Sequence, residues 1–236
     1  MKCKAIIISI KGTKLTKKEK IILSKEKPWG IILFKRNLKS TKQIKQLTSS
    51  IRSLTNNNKF PILIDEEGKS VTRLRNIINN DISAQFFGNL YIKDKVFCLK
   101  LLKYYIFSVS KILRNLGINV NTIPVLDIIR KNTNKIIGDR SFSKNKKIVK
   151  ELGDYTIRYL HENKIGAIIK HIPGHGASAV DSHKKTPTVN LDSKKLNEFD
   201  FYPFKSTESK LAMTAHIIYR KYDKKNVATF SKKIIK

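Results

Sequence analysis

An α/β fold built on a parallel sheet is predicted by three features of the 236-residue sequence. Short apolar runs rich in β-branched residues recur along the chain. Helical stretches of 3.6-residue periodicity separate them, and most of the runs end abruptly in polar or charged residues. Buried strands joined by helices require right-handed crossovers and hence parallel neighbours. Six such units exceed a small flavodoxin-like sheet and fall short of an eight-unit barrel, which typically needs about 250 residues.

The elements follow in order. Residues 4–10 read as a first strand and 14–26 as a short helix. Gly30 to Phe34 form a second strand ending in Lys35-Arg36-Asn37. Ser40 or Thr41 can cap the next helix, where Ile44, Leu47, Ile51 and Leu54 share one face, and Asn56 to Asn58 make a turn. Phe60 to Ile64 form a third strand, ending in Asp65-Glu66-Glu67-Gly68. An irregular stretch leads to a long helix over 93–116, stopped by Gly117. Ile118 to Pro124 form a fourth strand, followed by Val125-Leu126-Asp127, a loop with Gly138-Asp139-Arg140-Ser141 and a helix over 144–163. Residues 165–169 are a fifth strand that empties into Lys170-His171 and a Pro-Gly loop. Asp192 or Ser193 caps a helix over 193–200, Pro203 starts a further helical turn, and Leu211 to Ala215 form a sixth strand ending in His216. Ser231 has the character of a helix cap, leaving barely one turn to Lys236.

The formal charge is extreme: 49 basic against 18 acidic residues, or +31. Such a balance raises nucleic acid or an anionic membrane as partners. The lysines, however, are spread over the whole length, and isoleucine and asparagine are inflated with them. That pattern fits compositional drift in an enzyme better than a dedicated nucleic-acid binder, and no specific nucleic-acid partner is expected. Cys3 and Cys98 have neither metal nor disulfide spacing and read as buried free thiols of a reducing compartment. Ala5 to Ile10 is too short for a signal-peptide core, and Val96 to Leu116 is broken by Lys100, Lys103, Lys111 and Arg114. A soluble, cytoplasmic protein without a membrane partner is expected.

Candidate chemistry gathers in Ile165-Gly-Ala-Ile-Ile-Lys-His-Ile-Pro-Gly-His-Gly176 and the Asp181-Ser-His183 that follows. Three of five histidines fall within thirteen residues, with a lysine and an aspartate. An apolar strand emptying polar groups into a loop is how parallel α/β enzymes build sites. Metal binding is not expected, because Lys170 is cationic and no third ligand has suitable spacing. The wording Lys170-His-Ile-Pro-Gly-His-Gly176 with Asp181-Ser-His183 resembles glycoside hydrolase family 3, in its bacterial β-N-acetylglucosaminidase branch. Asp65-Glu-Glu-Gly68 with Arg73, Pro124-Val-Leu-Asp127, Gly138-Asp-Arg-Ser-Phe-Ser143 and Met213-Thr-Ala-His216 resemble further family motifs in the same order. One departure is Lys69-Ser70, where the family usually has glycine and then arginine.

The resemblance implies a partial catalytic domain over 1–236: an incomplete TIM-type (β/α)8 barrel with about six units present. It implies that terminal N-acetylglucosamine is cleaved from peptidoglycan-derived fragments with no cofactor. His183 would be the acid/base, oriented by Asp181, since imidazole exchanges protons near neutrality. Asp65, Arg73, Arg140, Lys170 and His171 would hold the sugar. Asp127 would orient by hydrogen bonding, His175 and Gly176 would shape the loop, and His216 would line the pocket. The family's attacking aspartate belongs to a seventh strand that no residue here matches. Impaired hydrolysis is therefore expected, with a complementing C-terminal fragment as a possible partner. A sugar-binding pseudoenzyme is the first rival, and a basic nucleic-acid-binding protein the second.

Overall fold

The computed structural model describes residues 3–131, 133–179 and 186–235. Strand β1 (Lys4–Ser9) leads to helix α1 (Lys17–Glu26), whose start is fixed by a reciprocal Thr16–Glu19 capping box. Strand β2 (Pro28–Leu33) is followed by α2 (Thr41–Thr55), capped by the Ser40 hydroxyl, which accepts from Gln43 N. Its buried face carries Ile44, Leu47 and Ile51 as the periodicity predicts. Strand β3 spans Ile62–Ile64.

The stretch expected to be irregular contains a helix, α3 (Ala84–Lys93), and the expected long helix is α4 (Lys95–Asn115). Asp94 separates them. Its backbone N–H bonds Leu90 to close α3, and its carboxylate accepts from Phe97 N to open α4. Gly117, at φ +76°, ends α4 in the left-handed conformation a helix stop favours.

Strand β4 (Val120–Asn121) leads to α5 (Lys146–Glu162). The expected fifth strand is two pieces, β5 (Gly166–Ala167) and β6 (Ile169–Ile172). Lys170 and His171 therefore belong to a strand and not to the loop after it. Beyond come β7 (Thr188–Val189), α6 (Ser193–Lys195) running into a π-helical turn over Leu196–Asp200, and α7 (Tyr202–Ser206). Strands β8 (Ala212–Thr214) and β9 (Ile218–Tyr219) and helix α8 (Lys232–Ile235) complete the order. The β7–β9 pair is an addition the sequence reading did not contain.

All paired strands are parallel. Strands β1 to β5 pair in sequence order, and β6 pairs with β8. A bridge from Val125 to Lys170 carries β4 onto β6, so the wall runs β1, β2, β3, β4, β5/β6, β8. This is six positions of a barrel that is not closed. Among the described residues β1 and β8 each have one strand partner.

Side-chain alternation decides the layers. Ile62 and Ile64 join the large cluster between wall and helices, with Ile31, Leu33, Ile44, Leu102 and Val149. Leu63 points the other way, into an inner cluster with Val120, Ile168, Trp29 and Met213. A third cluster, around Leu196, Phe201, Ala215 and Tyr219, packs the β7–β9 extension. Cys98 is buried as expected. Cys3 is exposed, contrary to expectation, because it precedes an edge strand. No helix among the described residues is long and apolar enough to cross a membrane.

Candidate active site

The polar residues that follow the apolar runs converge at the C-terminal end of the wall. Strand β3 delivers Asp65, β4 leads to Thr122 and Asp127, β6 carries Lys170 and His171, and β8 leads to His216. Asparagine side chains hold the backbone around them: Asn121 accepts from Glu66 N at 3.0 Å and donates to Glu66 O at 2.9 Å.

Lys170 is the centre of the first group. Its side chain is 2% exposed, and its Nζ lies 2.5 Å from Glu67 Oε1, 3.1 Å from Asp65 Oδ1 and 2.9 Å from Thr122 Oγ1. Burying an unpaired ammonium is prohibitive, so this residue must be surrounded by acceptors. Thr122 also donates its hydroxyl to Asp65. Arg73 Nη2 contacts the other Asp65 oxygen at 3.2 Å. Burial pushes the Asp65 carboxyl up; Lys170, Thr122 and Arg73 more than reverse this and hold it well below the usual carboxylate range.

Arg140 docks side-on to Glu67, with Nε to Oε2 at 2.7 Å and Nη2 to Oε1 at 2.9 Å. This is the two-pronged geometry that guanidinium and carboxylate favour. Glu66, despite standing between the two acids, is a loop brace. It accepts from Thr72 Oγ1, Arg73 N, Leu74 N and Asn80 Nδ2.

The second group is built on Asp127, which is fully buried. One oxygen accepts from His175 N at 2.6 Å and His171 N at 3.3 Å; the other meets His171 Nδ1 at 2.6 Å. Burial raises the Asp127 carboxyl, and His171 and His175 overcome that, holding it below its ordinary value. An ionised carboxylate only accepts, so His171 presents Nδ1–H to it and keeps Nε2 for the cavity. The rings of His171 and His175 meet edge-on, with centroids 5.7 Å apart. Burial lowers the His175 pKa. Gly176 sits so close to Ile128 that a Cβ would fall 1.9 Å from its carbonyl oxygen, so only glycine lets the loop pass there.

A cavity of about 210 Å³ opens beside these groups. Arg140, His171, His175, Met213, Thr214 and His216 line it, and its described lining contains no carboxylate. His216 Nδ1 bonds Thr229 Oγ1 at 2.8 Å, and Thr229 in turn bonds Thr214. Asp65, Arg73 and Lys170 join the cavity wall through Glu67 and Arg140. Asp181 and His183, the expected acid/base pair, lie outside the described residues. Two participants escaped the sequence reading: Glu67, treated only as part of an acidic run, and Thr122. The signal for Glu67 was Lys170 itself, since a lysine in an apolar strand demands nearby anions. Among the described residues no group of three or more His, Cys, Asp or Glu could hold a metal ion.

A parallel wall of β/α units with polar groups massed at its C-terminal edge defines the α/β-barrel enzyme class. Comparisons place the chain within that class. The profile of the Glycosyl hydrolase family 3 N terminal domain matches residues 3–236, and the chain belongs to that family. The beta-hexosaminidase of Stenotrophomonas maltophilia K279a is 31% identical over 220 residues, covering 91% of this chain and 64% of that protein. Beta-hexosaminidase A of Pseudoalteromonas piscicida is 34% identical over 212 residues, covering 84% of this chain and 34% of that protein. The crystal structure of native NagZ from Neisseria gonorrhoeae superposes with a TM-score of 0.87 at 28% identity, covering 97% of this chain and 67% of that one. The chain thus spans between a third and two thirds of the length of the curated relatives named here.

Proposed function

We propose that this chain carries the sugar-recognition half of a β-N-acetylhexosaminidase pocket, specific for terminal N-acetylglucosamine on peptidoglycan-derived fragments. The observation that carries the reading is the Asp127–His171 pair facing the cavity beside Arg140. It presents an imidazole nitrogen that accepts from a hydroxyl and a guanidinium that donates to an oxygen, a pairing suited to a neutral, hydroxyl-rich ligand. A relative of the same family, NagZ from Neisseria gonorrhoeae, has a structure in complex with N-trifluoroacetyl-D-glucosamine. Asp65 and Arg73 take vicinal hydroxyls, Arg140 and His171 take further oxygens, and His216 borders the ligand. Lys170, fully wrapped by protein acceptors, acts mainly through Asp65. Asp181 and His183 supply proton transfer to and from the glycosidic oxygen.

Retaining hydrolysis needs a carboxylate about 5 Å from its partner across the reacting centre. The carboxylates of Asp65 and Glu67 are engaged by cations, and the described cavity lining supplies no other. On this reading the 236 residues bind the sugar without efficient turnover, and a polypeptide that supplies the attacking carboxylate restores it. Cytoplasmic recycling of cell-wall fragments is the setting this chemistry fits. A chromogenic N-acetylglucosaminide tests the reading: saturable binding with turnover only after the complementing polypeptide is added supports it. Brisk turnover by the chain alone overturns the division of labour, and absence of any binding overturns the function.

A further inference from the structure

Glu67 is the described acid that joins Lys170 to Arg140, as Asp65 joins Lys170 to Arg73. Its side chain is 5% exposed, and its Oε1 is shared between Lys170 Nζ at 2.5 Å and Arg140 Nη2 at 2.9 Å. Its backbone is equally fixed: Glu67 N donates to Val71 O at 2.9 Å, and the adjoining Glu66 peptide is clamped by Asn121. Lys170 comes from β6 and Arg140 from the loop before α5, so one carboxylate ties two separate segments to the end of β3. Burial raises the Glu67 carboxyl, and Lys170 and Arg140 reverse that and keep it ionised. Three cations (Arg73, Arg140, Lys170) then face two anions (Asp65, Glu67). The excess is one positive charge, and a neutral sugar competes well there; removing one anion would double that excess and turn the site into an anion trap.

We infer that Glu67 is a positioning residue that sets both the placement of Arg140 and the low net charge of the sugar pocket, and so tunes it for an uncharged ligand. This rests on the sugar-binding reading above. Its effect passes entirely through Arg140 and the Lys170–Asp65 pair. An amide at this position has one acceptor oxygen and one NH₂, so whichever way it is turned the NH₂ meets a donor the carboxylate had bound: Arg140 Nε on one side, or Lys170 Nζ and Arg140 Nη2 on the other.

The test uses the full 236-residue chain, with the imidazole NMR signals of His171 and His216 reporting on the cavity. N-acetylglucosamine and inorganic phosphate are titrated separately into wild type and Glu67→Gln. Loss of a charge-assisted contact predicts sugar affinity reduced about tenfold or more. The uncovered positive charge predicts phosphate affinity at the same signals raised about tenfold, and this gain falls as salt is added. A merely structural defect would weaken both ligands together. Unchanged sugar affinity, or loss of sugar without gain of phosphate, overturns the inference. Should wild type bind no sugar, the functional reading fails, while the phosphate comparison still decides the role of Glu67. If Glu67→Gln does not fold, Glu67→Asp retains the charge but is one methylene too short to span both partners. Its sugar affinity should fall at least about fivefold, with phosphate unchanged; wild-type sugar affinity there overturns the inference.

Discussion

Asp127 concentrates the electrostatics of the site in one side chain. Because its folded pKa lies below the ordinary value near ~3.9, its stabilisation is fully present above about pH 4 and is lost as pH falls through the folded value. Asp65 and Glu67 act in the same direction. Acid should therefore unfold the chain from pH 4 downward, and Asp127→Asn should flatten that limb. At neutral pH the same substitution removes the charge that three donors share and should cost about 2 kcal/mol. Urea midpoints measured between pH 3 and pH 7 check both. An unaltered acid limb in the variant would contradict the assignment. A separate expectation concerns sugar affinity. Arg73→Ala leaves one Asp65 oxygen without its guanidinium and should weaken N-acetylglucosamine binding about tenfold, read by titration calorimetry.

Asp94 shows how much one position can organise. It closes α3 with its backbone and opens α4 with its carboxylate, so Asp94→Ala should cost about 1 kcal/mol. For a chain of this size that is a fall in Tm of roughly 2–4 °C. Hydrogen exchange alongside the calorimetry should show fraying at the start of α4 and not at the end of α3, because alanine keeps the backbone N–H that closes α3. Legibility at this scale followed local chemistry. The strands declared themselves through β-branched runs, and α2 through its cap and apolar stripe. Helix α3 was hidden because Gly88 interrupts a short pattern; glycine stands there because a Cβ would fall 1.6 Å from Phe142 O, a contact no local pattern reveals. The same limit governs the site. Asp65, Arg73, Arg140 and His171 were recognisable as candidates from their motifs. Which cation pairs with which anion was not, since Lys170 meets Asp65 across 105 positions and Arg140 meets Glu67 across 73. Lys170 looked like a pocket donor because it follows an apolar run. Its place inside β6, buried between two acids, became visible only when the strands were assembled.

At the scale of the whole fold, β1 and β8 are edge strands with one partner each among the described residues. Along β1, Ile8 packs on the main core, so by alternation Ile7 faces the barrel side, and it is 41% exposed. Unpaired apolar edges recruit other strands. Ile7→Lys should therefore reduce self-association of the isolated chain, visible as lower light scattering at matched concentration. Equal scattering would show that the edges are not the contact. The charge of +31 works alongside this, because lysine-rich surfaces repel copies of one another at low salt. Scattering should accordingly rise with ionic strength.

The inner cluster contains Trp29, the sole tryptophan of the sequence, half-buried against Leu63, Val120, Ile168 and their neighbours. Any polypeptide that completes the wall must dry this indole. Its fluorescence emission should then shift to the blue and resist quenching by acrylamide, so closure can be watched without a label and without turnover.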